Sequence, residues 1–237
     1  MIIDKIQRKR EEINEYGFSE IAKRIIVKLF RNNIYIERVL FYRNPRQYWE
    51  KRGGERYFKE QESRKDRDLR SIFIAENLVK LNVESVLEVG CGYGKQLKSI
   101  RKLDKEVELF GVDFSSTQLI RGKEYLKRED VKYLVCADAE VLPFLDNSFD
   151  LVLTSAVIIH SPPEKARHIR DEIFRIAKKY IVHNEDMSIS STRWSYDYGE
   201  IYKQMGLNIL KCCQIPCAPI PEITQFVVAE KAKENQT

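Results

Sequence analysis

The stretch VLEVGCGYGKQL, residues 86–97, carries an acid, Glu88, in an apolar run that leads into three glycines at alternate positions. The pattern predicts a buried strand that ends at the first glycine and is followed by a helix. An ionised carboxylate at the end of a buried strand costs free energy unless a partner compensates it. Gly90 and Gly92 permit a tight turn and let a ligand approach the backbone without meeting a Cβ atom. We therefore expect a ligand site at this turn, with Glu88 facing a positive group.

Two classes of cofactor use such a loop. A dinucleotide places its pyrophosphate on the helix N-terminus and favours the spacing G-x-G-x-x-G, whose third glycine would fall at Lys95. S-adenosylmethionine carries an ammonium and a sulfonium group but no phosphate, so an upstream carboxylate suits it better. Asp113 ends the next predicted strand, 19 residues after Gly94. Its carboxylate can accept hydrogen bonds from both ribose hydroxyls, although the same position serves NAD as well.

The chain changes character near residue 80. Residues 1–80 have helical periodicity, and a helix over about 60–81 leads into a part where short apolar runs alternate with amphipathic stretches. That alternation predicts a parallel sheet with helices on both faces. The last two strand-like runs are joined by a Pro-rich turn and predict an antiparallel pair at one edge. The predicted strands cover 85–90, 107–114, 131–138, 149–157 and 179–185, and the predicted helices cover 95–103, 116–128 and 163–179.

The stretch CADAEVLPFLDNSFDLVLTSAVIIH, residues 136–160, discriminates best between the cofactors. Together with the glycine loop and GVDFS at 111–115, it resembles the class I S-adenosylmethionine-dependent methyltransferases, in particular the subgroup with quinone-biosynthesis and many small-molecule enzymes. The resemblance covers about residues 83–185, with order and spacing intact. It implies a Rossmann-like sheet of order 3-2-1-4-5-7-6 with strand seven antiparallel. We assign residues 81–237 to that domain and 1–80 to an N-terminal helical extension.

The resemblance implies a cofactor, S-adenosyl-L-methionine, and a role for each matching position. The glycine loop would contact the methionine end, Asp113 the ribose, Phe114 and Asp138 the adenine, and Ser155 the region of the transferring methyl. The residues assigned to cofactor binding are Glu88, Gly90, Cys91, Gly92, Asp113, Phe114, Asp138, Ala139, Ser155 and Trp49. Alternatively, Asp113 and Asp138 cap turns and Phe114 belongs to the core.

Methyl transfer needs a general base only where the acceptor must lose a proton. His160 follows the fourth predicted strand and His183 lies at the end of the fifth, so both are candidate bases; the alternative is a hydrogen-bonded structural role. The Asn-Pro-Pro-aromatic motif of adenine and glutamine methyltransferases is missing, because SAVI stands in its place at 155–158. No metal site is predicted, since the fourth strand offers Ser155 and His160 rather than an acid.

Two aromatic segments are candidate lids over the acceptor. Residues 41–57 hold Tyr48, Trp49 and Tyr57 among four arginines, and rings of this kind attract a sulfonium ligand. The paired glycines at 53 and 54 would let that segment move. Residues 191–206 contribute Trp194, Tyr196 and Tyr198 between strands five and six. The alternative for both segments is packing between cap and core.

Composition sets the remaining expectations. The 237 residues are 43% hydrophobic and 32% charged, as in a folded soluble protein, and no run approaches the length of a membrane span. The opening residues lack the apolar run of a signal peptide, so a cytoplasmic location is expected. Five cysteines without zinc-site spacing are interpreted as small buried apolar residues, those of CCQIPC as part of a strand. The net charge of +5 is concentrated in residues 1–70, which hold 19 basic against 12 acidic side chains.

These observations favour an enzyme that methylates a small molecule, or a sugar or lipid headgroup, at oxygen or nitrogen. An RNA or protein methyltransferase that docks through the basic N-terminal region is the first alternative, although nucleic acid is not the favoured partner. A non-catalytic S-adenosylmethionine-binding protein is the second. The acceptor and the oligomeric state are left open by the sequence.

Overall fold

A computed structural model describes residues 21–29, 33–127 and 131–232. A seven-stranded sheet of order β3-β2-β1-β4-β5-β7-β6 forms its centre. The strands are β1 (Ser85–Val89), β2 (Glu108–Asp113), β3 (Tyr133–Cys136), β4 (Phe149–Ser155), β5 (Ala177–Asp186), β6 (Asn208–Cys213) and β7 (Thr224–Glu230). The first five pair in parallel, whereas β7 runs antiparallel to both β5 and β6. The predicted order and the antiparallel strand seven are confirmed.

Helices cover the sheet and precede it. In the described part they are α1 (21–29), α2 (Ile34–Phe41), α3 (Pro45–Arg52), α4 (Glu55–Glu62), α5 (Lys65–Leu78), α6 (Lys95–Leu103), α7 (Ser116–Tyr125), α8 (Pro163–Ile176) and α9 (Tyr198–Gln204). Several starts are fixed by side chains that accept from free backbone N–H groups: Asn33 for α2, Asn44 for α3, Ser115 for α7 and Asp197 for α9. Pro45 then occupies the first turn of α3, where its missing N–H costs nothing.

Two apolar layers hold the helices against the sheet. On one face, β1 contributes Leu87 and packs with α8 and α9; on the other, it contributes Val86 and packs with α5 and α6. This alternation follows from the period of two along a strand. β4 and β7 are buried along nearly their whole length, as expected for strands covered on both faces. The carboxyl ends of the parallel strands consequently meet at one edge of a rigid platform.

The helix predicted over 60–81 is divided. α4 ends at Glu62, and the chain resumes as α5 after Arg64, whose backbone is extended (φ −94°, ψ 104°). The Ser63 hydroxyl donates to the Glu60 carbonyl oxygen, so a local side-chain bond competes with continuation of the helix. Sequence periodicity did not register this break because both helices are amphipathic.

α5 was predicted as part of the N-terminal extension, but it packs into the core against the sheet. Ile74, Ala75 and Leu78 are almost fully buried in the same layer as β1 and α6. The helices that lie over the platform are α2, α3 and α4, in which only Gln61 is buried. The division at residue 80 stays a prediction, and residues 1–20 of the predicted extension lie outside the described residues.

Two further predictions from the sequence concern membrane-spanning helices and the cysteines. Within the described ranges, no helix combines the length and apolar character that crossing a bilayer requires. All five cysteines are free, and the expectation that they are buried is wrong for all but Cys91: Cys136 and Cys212 are exposed, and Cys213 and Cys217 are partly exposed.

Candidate functional site

One cavity of about 430 Å³ opens at the carboxyl ends of β1, β2 and β4 and is covered by Tyr42, which follows α2, and by α3 and α4. Its size suits a small-molecule ligand. Eleven of the twelve site residues expected from the sequence line it: Trp49, Glu88, Gly90, Cys91, Gly92, Asp113, Phe114, Asp138, Ala139, Ser155 and His160. The fold thus brings together residues that are far apart in the chain, while His183 lies elsewhere.

Glu88 lies at the floor of the cavity with a side chain that is 3% exposed. Its Oε2 atom has no hydrogen-bond partner among the described residues. Burial, and next the charge of Asp113, hold the pKa of Glu88 well above its usual range. A buried carboxyl with an open acceptor is favourable for a ligand that brings a positive N–H group.

The glycine loop leaves β1 with left-handed backbone at Gly90 (φ +71°) and Gly92 (φ +56°). A Cβ atom on Gly90 would lie 2.4 Å from Cγ2 of Val157, whereas a Cβ on Gly92 would meet nothing closer than 3.7 Å, at Gln118 Oε1. Gly90 is therefore required for packing, while Gly92 leaves open space toward the cavity. Gln118 Oε1 is itself buried without a partner, a second open acceptor that the sequence analysis missed.

Asp113 ends β2 and holds the glycine loop through hydrogen bonds. Its Oδ2 accepts from the Gly92 N–H at 2.9 Å and its Oδ1 accepts from the Ser115 N–H at 2.8 Å. Burial raises the pKa of Asp113, while these two backbone donors act against that rise. Each oxygen keeps a lone pair for a further donor, so capping of the turn and the ribose role proposed from the sequence are compatible.

The far wall is formed after β3. Asp138 is exposed, and its Oδ1 accepts from the N–H of Glu140 at 3.0 Å, which is the turn-capping geometry considered as an alternative. Ala139 and Phe114 are partly buried beside it, and the Arg46 guanidinium of α3 lies 6.0 Å from the Phe114 ring centroid. A planar group could enter here between Phe114 and the turn.

His160 lies in the loop after β4 and faces the cavity beneath Trp49, with ring centroids 4.8 Å apart. Its Nδ1 is 2.7 Å from the carbonyl oxygen of Thr192, so Nδ1 carries the proton and Nε2 is left as an acceptor. Burial is the main cause that lowers the pKa of His160 to about 4. The imidazole is therefore neutral at pH 7.

The loop that carries His160 is held from below by Glu185. This buried carboxylate accepts from the N–H groups of Val157 and Ile158 and from the hydroxyl of Thr154. Burial raises the pKa of Glu185 to about 7. These contacts give Glu185 a structural role.

The prediction that His183 is a catalytic base is wrong, because its side chain does not line the cavity. Its side chain is fully buried between β4 and α9, away from the cavity, with Nδ1 2.5 Å from Thr154 Oγ1 and Nε2 2.6 Å from the Tyr202 hydroxyl. Because Thr154 donates to Glu185, Nδ1–H donates to Thr154 and Tyr202 donates to Nε2. Burial lowers the pKa of His183 to about 3. Its position near the strand end was predicted correctly, but the strand pleat turns the ring into the core.

The two expected lids meet where the rings of Tyr42 and Trp194 lie 6.1 Å apart, centroid to centroid. Just before the first lid, Arg38 of α2 donates to the carbonyl oxygens of Ser190, Ser191 and Arg193, and its guanidinium lies 3.9 Å from the centroid of the Trp194 ring. The second segment therefore reaches the cavity through Thr192 and Arg193 instead of the expected aromatic rings.

Those expected rings pack elsewhere. Trp194 lies under Arg38, the Tyr196 hydroxyl donates to the Ser161 carbonyl oxygen at 2.6 Å, and Tyr198 is 2% exposed in the core. In the first segment, Trp49 donates its indole N–H to the Tyr42 hydroxyl at 2.9 Å, and that hydroxyl donates to the His160 carbonyl oxygen at 3.1 Å. Trp49 thus covers the cavity, as the sequence analysis expected.

Three arginines form a basic wall of the cavity near His160 that was not expected from the sequence. They are Arg67 and Arg70 of α5 and Arg193 of the loop after β5. Helical periodicity could not predict this wall, because it does not distinguish a helix face that lines a cavity from one that faces solvent. Within the described residues, no three His, Cys, Asp or Glu side chains form a group able to hold a metal ion.

A family model described as a methyltransferase domain matches residues 87–180, which include the loop, Asp113, Asp138 and His160. The strand order and the position of the cavity agree with that match. Residues 87–180 therefore match a methyltransferase domain, and the fold is that of the class I S-adenosylmethionine-dependent methyltransferases. The open acceptors on Glu88 and Gln118 and the free space above Gly92 fit S-adenosylmethionine.

Two curated methyltransferases illustrate the range of relatives. Cycloartenol-C-24-methyltransferase of Arabidopsis thaliana is 35% identical over 98 residues, which are 40% of this chain and 28% of that protein. An uncharacterized methyltransferase of Schizosaccharomyces pombe is 30% identical over 125 residues, 48% of this chain and 44% of that protein. The matched part of the chain therefore spans less than half the length of both relatives.

Solved structures extend the likeness to most of the chain. A chain from the complex between the Haloferax volcanii Trm112 methyltransferase activator and the putative methyltransferase gives a TM-score of 0.64 at 20% identity, covering 82% of this chain and 100% of that one. Magnesium protoporphyrin IX methyltransferase from Synechocystis, solved with bound S-adenosylmethionine, gives 0.62 at 13% identity over 80% and 98%. The [4+2]-cyclase SpnF gives 0.52 at 16% identity over 62% and 74%. At these identities, the likeness shows a shared fold.

Proposed function

We propose that this protein transfers a methyl group from S-adenosylmethionine to an oxygen or nitrogen atom of a small molecule or of a sugar or lipid headgroup. The observation that carries the proposal is the single cavity in which the cofactor-binding positions and His160 face the same space. The open acceptor on Glu88 supports a cationic cofactor there. Relatives named for a cycloartenol and a porphyrin acceptor support the small-molecule class.

The bound cofactor supplies a methyl group on a sulfonium, a good leaving group. The remaining work of the protein is to position the acceptor atom and to exclude water. Trp49 and Tyr42 cover the cavity through their hydrogen bonds to each other and to the loop of His160. The neutral His160 imidazole offers Nε2 to the acceptor's leaving proton, and Thr192 holds its tautomer. Ser155 Oγ, which accepts from Asn184 at 2.6 Å, is positioned to donate toward the cavity.

A second candidate is an RNA or protein methyltransferase that docks through the basic N-terminal third. Its supporting observation is the excess of 19 basic over 12 acidic side chains in residues 1–70. Against it, several of these cations are engaged: Arg38 holds carbonyl oxygens, Arg52 pairs with Glu60, and Arg70 pairs with Asp186. A macromolecular acceptor predicts binding that weakens steeply with salt, because phosphate contacts release counterions.

A third candidate is a cofactor-binding protein that does not transfer methyl groups. The shared fold of the cyclase SpnF supports keeping it, because fold by itself does not fix a reaction. The distinguishing feature is turnover, since both candidates would bind the cofactor.

The test is incubation of the protein with methyl-labelled S-adenosylmethionine and a cell extract, followed by mass identification of labelled species. We expect label in small metabolites, and loss of that label in an Asp113→Asn variant, because the amide cannot accept at both positions. Label in RNA or protein would favour the second candidate. Calorimetric binding of the cofactor without any label would favour the third, and binding of NAD in its place would overturn the proposal.

A further inference from the structure

The cavity is lined by acidic and by basic side chains. Glu88, Asp113 and Asp138 line the cofactor end expected from the sequence, and their carboxylates suit a cationic sulfonium nucleoside. Arg67, Arg70 and Arg193 line the same space of about 430 Å³, and the charges of Arg67 and Arg193 both act on His160. A ligand beside His160 therefore meets a basic wall.

Two of the three arginines share one carboxylate. Asp186, at the end of β5, accepts from Arg70 at 3.1 Å and from Arg193 at 3.3 Å. The side chains of Arg70 and Asp186 are 10% and 11% exposed, so this triad is nearly dry. One carboxylate against two guanidinium groups leaves a net positive charge at the wall.

Arg67 adds a third charge without a carboxylate of its own. Among the described residues, we find no hydrogen bond or ion pair to its guanidinium group, although it lies in the cavity and is largely covered. Burial, and next the charge of Arg70, lower the pKa of Arg67. An arginine nevertheless stays charged at neutral pH, and a covered charge without a counterion is costly.

Aromatic rings line the same cavity. Trp49 lies 6.0 Å from Tyr57 and 4.8 Å from His160, centroid to centroid, and all three face the cavity. Such rings favour a flat apolar body over a strongly hydrated one. The wall therefore offers a planar guanidinium fork beside an aromatic surface.

We propose that the methyl acceptor is a small organic anion, bound with its carboxylate or phosphate group on Arg67 and its apolar body against Trp49 and Tyr57. The inference rests on the proposed function, because it names the acceptor class of that site. Arg67 acts as the specificity-determining residue, since a guanidinium group pairs with either oxyanion through two parallel hydrogen bonds. Arg70 and Arg193, held by Asp186, keep the surrounding wall positive.

The test uses three probes of similar shape: benzoate, phenyl phosphate and the neutral benzamide. Each is titrated by calorimetry into the full chain saturated with S-adenosylhomocysteine, so that the cofactor end is filled. We expect at least one of the acids to bind at least tenfold more tightly than benzamide. The tighter of the two acids distinguishes a carboxylate from a phosphate as the natural group. Equal affinity for benzamide and both acids, or no binding of either acid, overturns the proposal.

Variants locate the charge that is responsible. Arg67→Gln is expected to lower the affinity for the acid at least tenfold, and Arg67→Lys is expected to restore part of it. Arg167→Gln is the matched control, because that arginine is 57% exposed on α8 and pairs only with its neighbours Asp171 and His168 in the described structure. Full acid affinity in the glutamine variant overturns the assignment to Arg67.

The cofactor titration separates this inference from the function on which it rests. S-adenosylhomocysteine affinity in the wild type and in Arg67→Gln is measured first, and it should be the same in both because Glu88 and Asp113 are untouched. If the wild type does not bind this nucleoside, the proposed function fails. If it does bind while the acids do not, the acceptor class alone is wrong.

Discussion

At the scale of single residues, Glu88 combines burial with an incomplete set of hydrogen bonds. Its side chain is 3% exposed and Oε2 has no partner among the described residues. A buried polar atom of this kind destabilises a protein by about 1–3 kcal/mol. The folded pKa lies above the unfolded value, so this cost grows as the pH rises above about 4.5.

Replacement of Glu88 by glutamine should therefore weaken cofactor binding without lowering the stability of the fold. We expect the affinity for S-adenosylmethionine to fall at least about tenfold, because a hydrogen bond to a charged group is worth about 1.5–3 kcal/mol. The free energy of unfolding of the ligand-free protein should stay the same or rise at pH 7. Calorimetry and urea titration measure the two quantities. Glu76→Gln, on the exposed side of α5, is the matched control, and an unchanged cofactor affinity in Glu88→Gln would contradict the assignment.

At the scale of elements, the turn between β1 and α6 depends on two glycines for different reasons. Gly90 is packed against Val157, whereas Gly92 borders open cavity. Both have positive φ, a conformation that costs an L-residue about 1–2 kcal/mol.

The alanine variants of these glycines should accordingly differ. Gly92→Ala should lower the free energy of unfolding by about 1–2 kcal/mol and weaken cofactor binding, because its new methyl group enters the ligand's space. Gly90→Ala should lose at least about 1 kcal/mol more, since its Cβ would overlap Val157. Urea unfolding and calorimetry provide the comparison. Equal destabilisation in both variants would show that the close contact of Gly90 with Val157 does not affect stability.

The contact between α2 and the loop after β5 is a second feature at this scale. Arg38 alone reaches three carbonyl oxygens of that loop and stacks on Trp194, and the Trp194 N–H donates to the Ile159 carbonyl oxygen at 2.7 Å. The cap helix, the loop of Arg193 and the loop of His160 are thereby joined.

Removal of this guanidinium should loosen the loop without unfolding the sheet. In Arg38→Ala we expect the Trp194 amide hydrogen to exchange at least about tenfold faster, since charge-assisted hydrogen bonds contribute about 1.5–3 kcal/mol. Amide exchange followed by mass spectrometry or NMR measures it, with amides of β4 as an internal reference. Arg43→Ala, an exposed neighbour on the same segment, should leave the exchange unchanged. Equal exchange rates in both variants would mean that other contacts hold the loop.

At the scale of the whole molecule, buried histidines couple folding to pH. Burial lowers the pKa of His160 to about 4 and that of His183 to about 3, while an unfolded chain takes up these protons near pH 6.5. Both groups thus contribute stability that is present above about pH 6.5 and is lost as the pH falls toward the folded values. Glu185, whose pKa is raised to about 7, acts in the opposite sense over the same range.

Comparing the wild type with His160→Gln isolates the contribution of His160 to the pH dependence of stability. From pH 6.5 to pH 5, we expect the free energy of unfolding of the wild type to fall by about 2 kcal/mol relative to His160→Gln, at about 1.4 kcal/mol per pH unit. Urea titrations at several pH values supply the curve, and His168→Gln on the exposed face of α8 is the control. Parallel pH curves for the wild type and His160→Gln would contradict a depressed pKa of His160.

The elements that carry the strongest periodicity were the ones predicted most closely. The helix over 95–103 was predicted with the bounds that α6 has, and the strand order followed from the resemblance of residues 83–185 to a known family. The break at Ser63 was missed because it depends on a local side-chain bond. The division at residue 80 is an expectation that the packing of α5 does not favour.

The sequence by itself determined the sheet, the glycine loop and the carboxylates at the strand ends, because these features follow from local periodicity and from spacing along one chain. Only the tertiary structure decided that His160 faces the cavity while His183 lies in the core, since that depends on the direction in which each strand end turns its side chain. It also decided that Arg67 lies in the cavity without a carboxylate partner in the described chain. Charge neutralisation depends on residues far apart in sequence, here 116 positions for Arg70 and Asp186, and no local pattern records it.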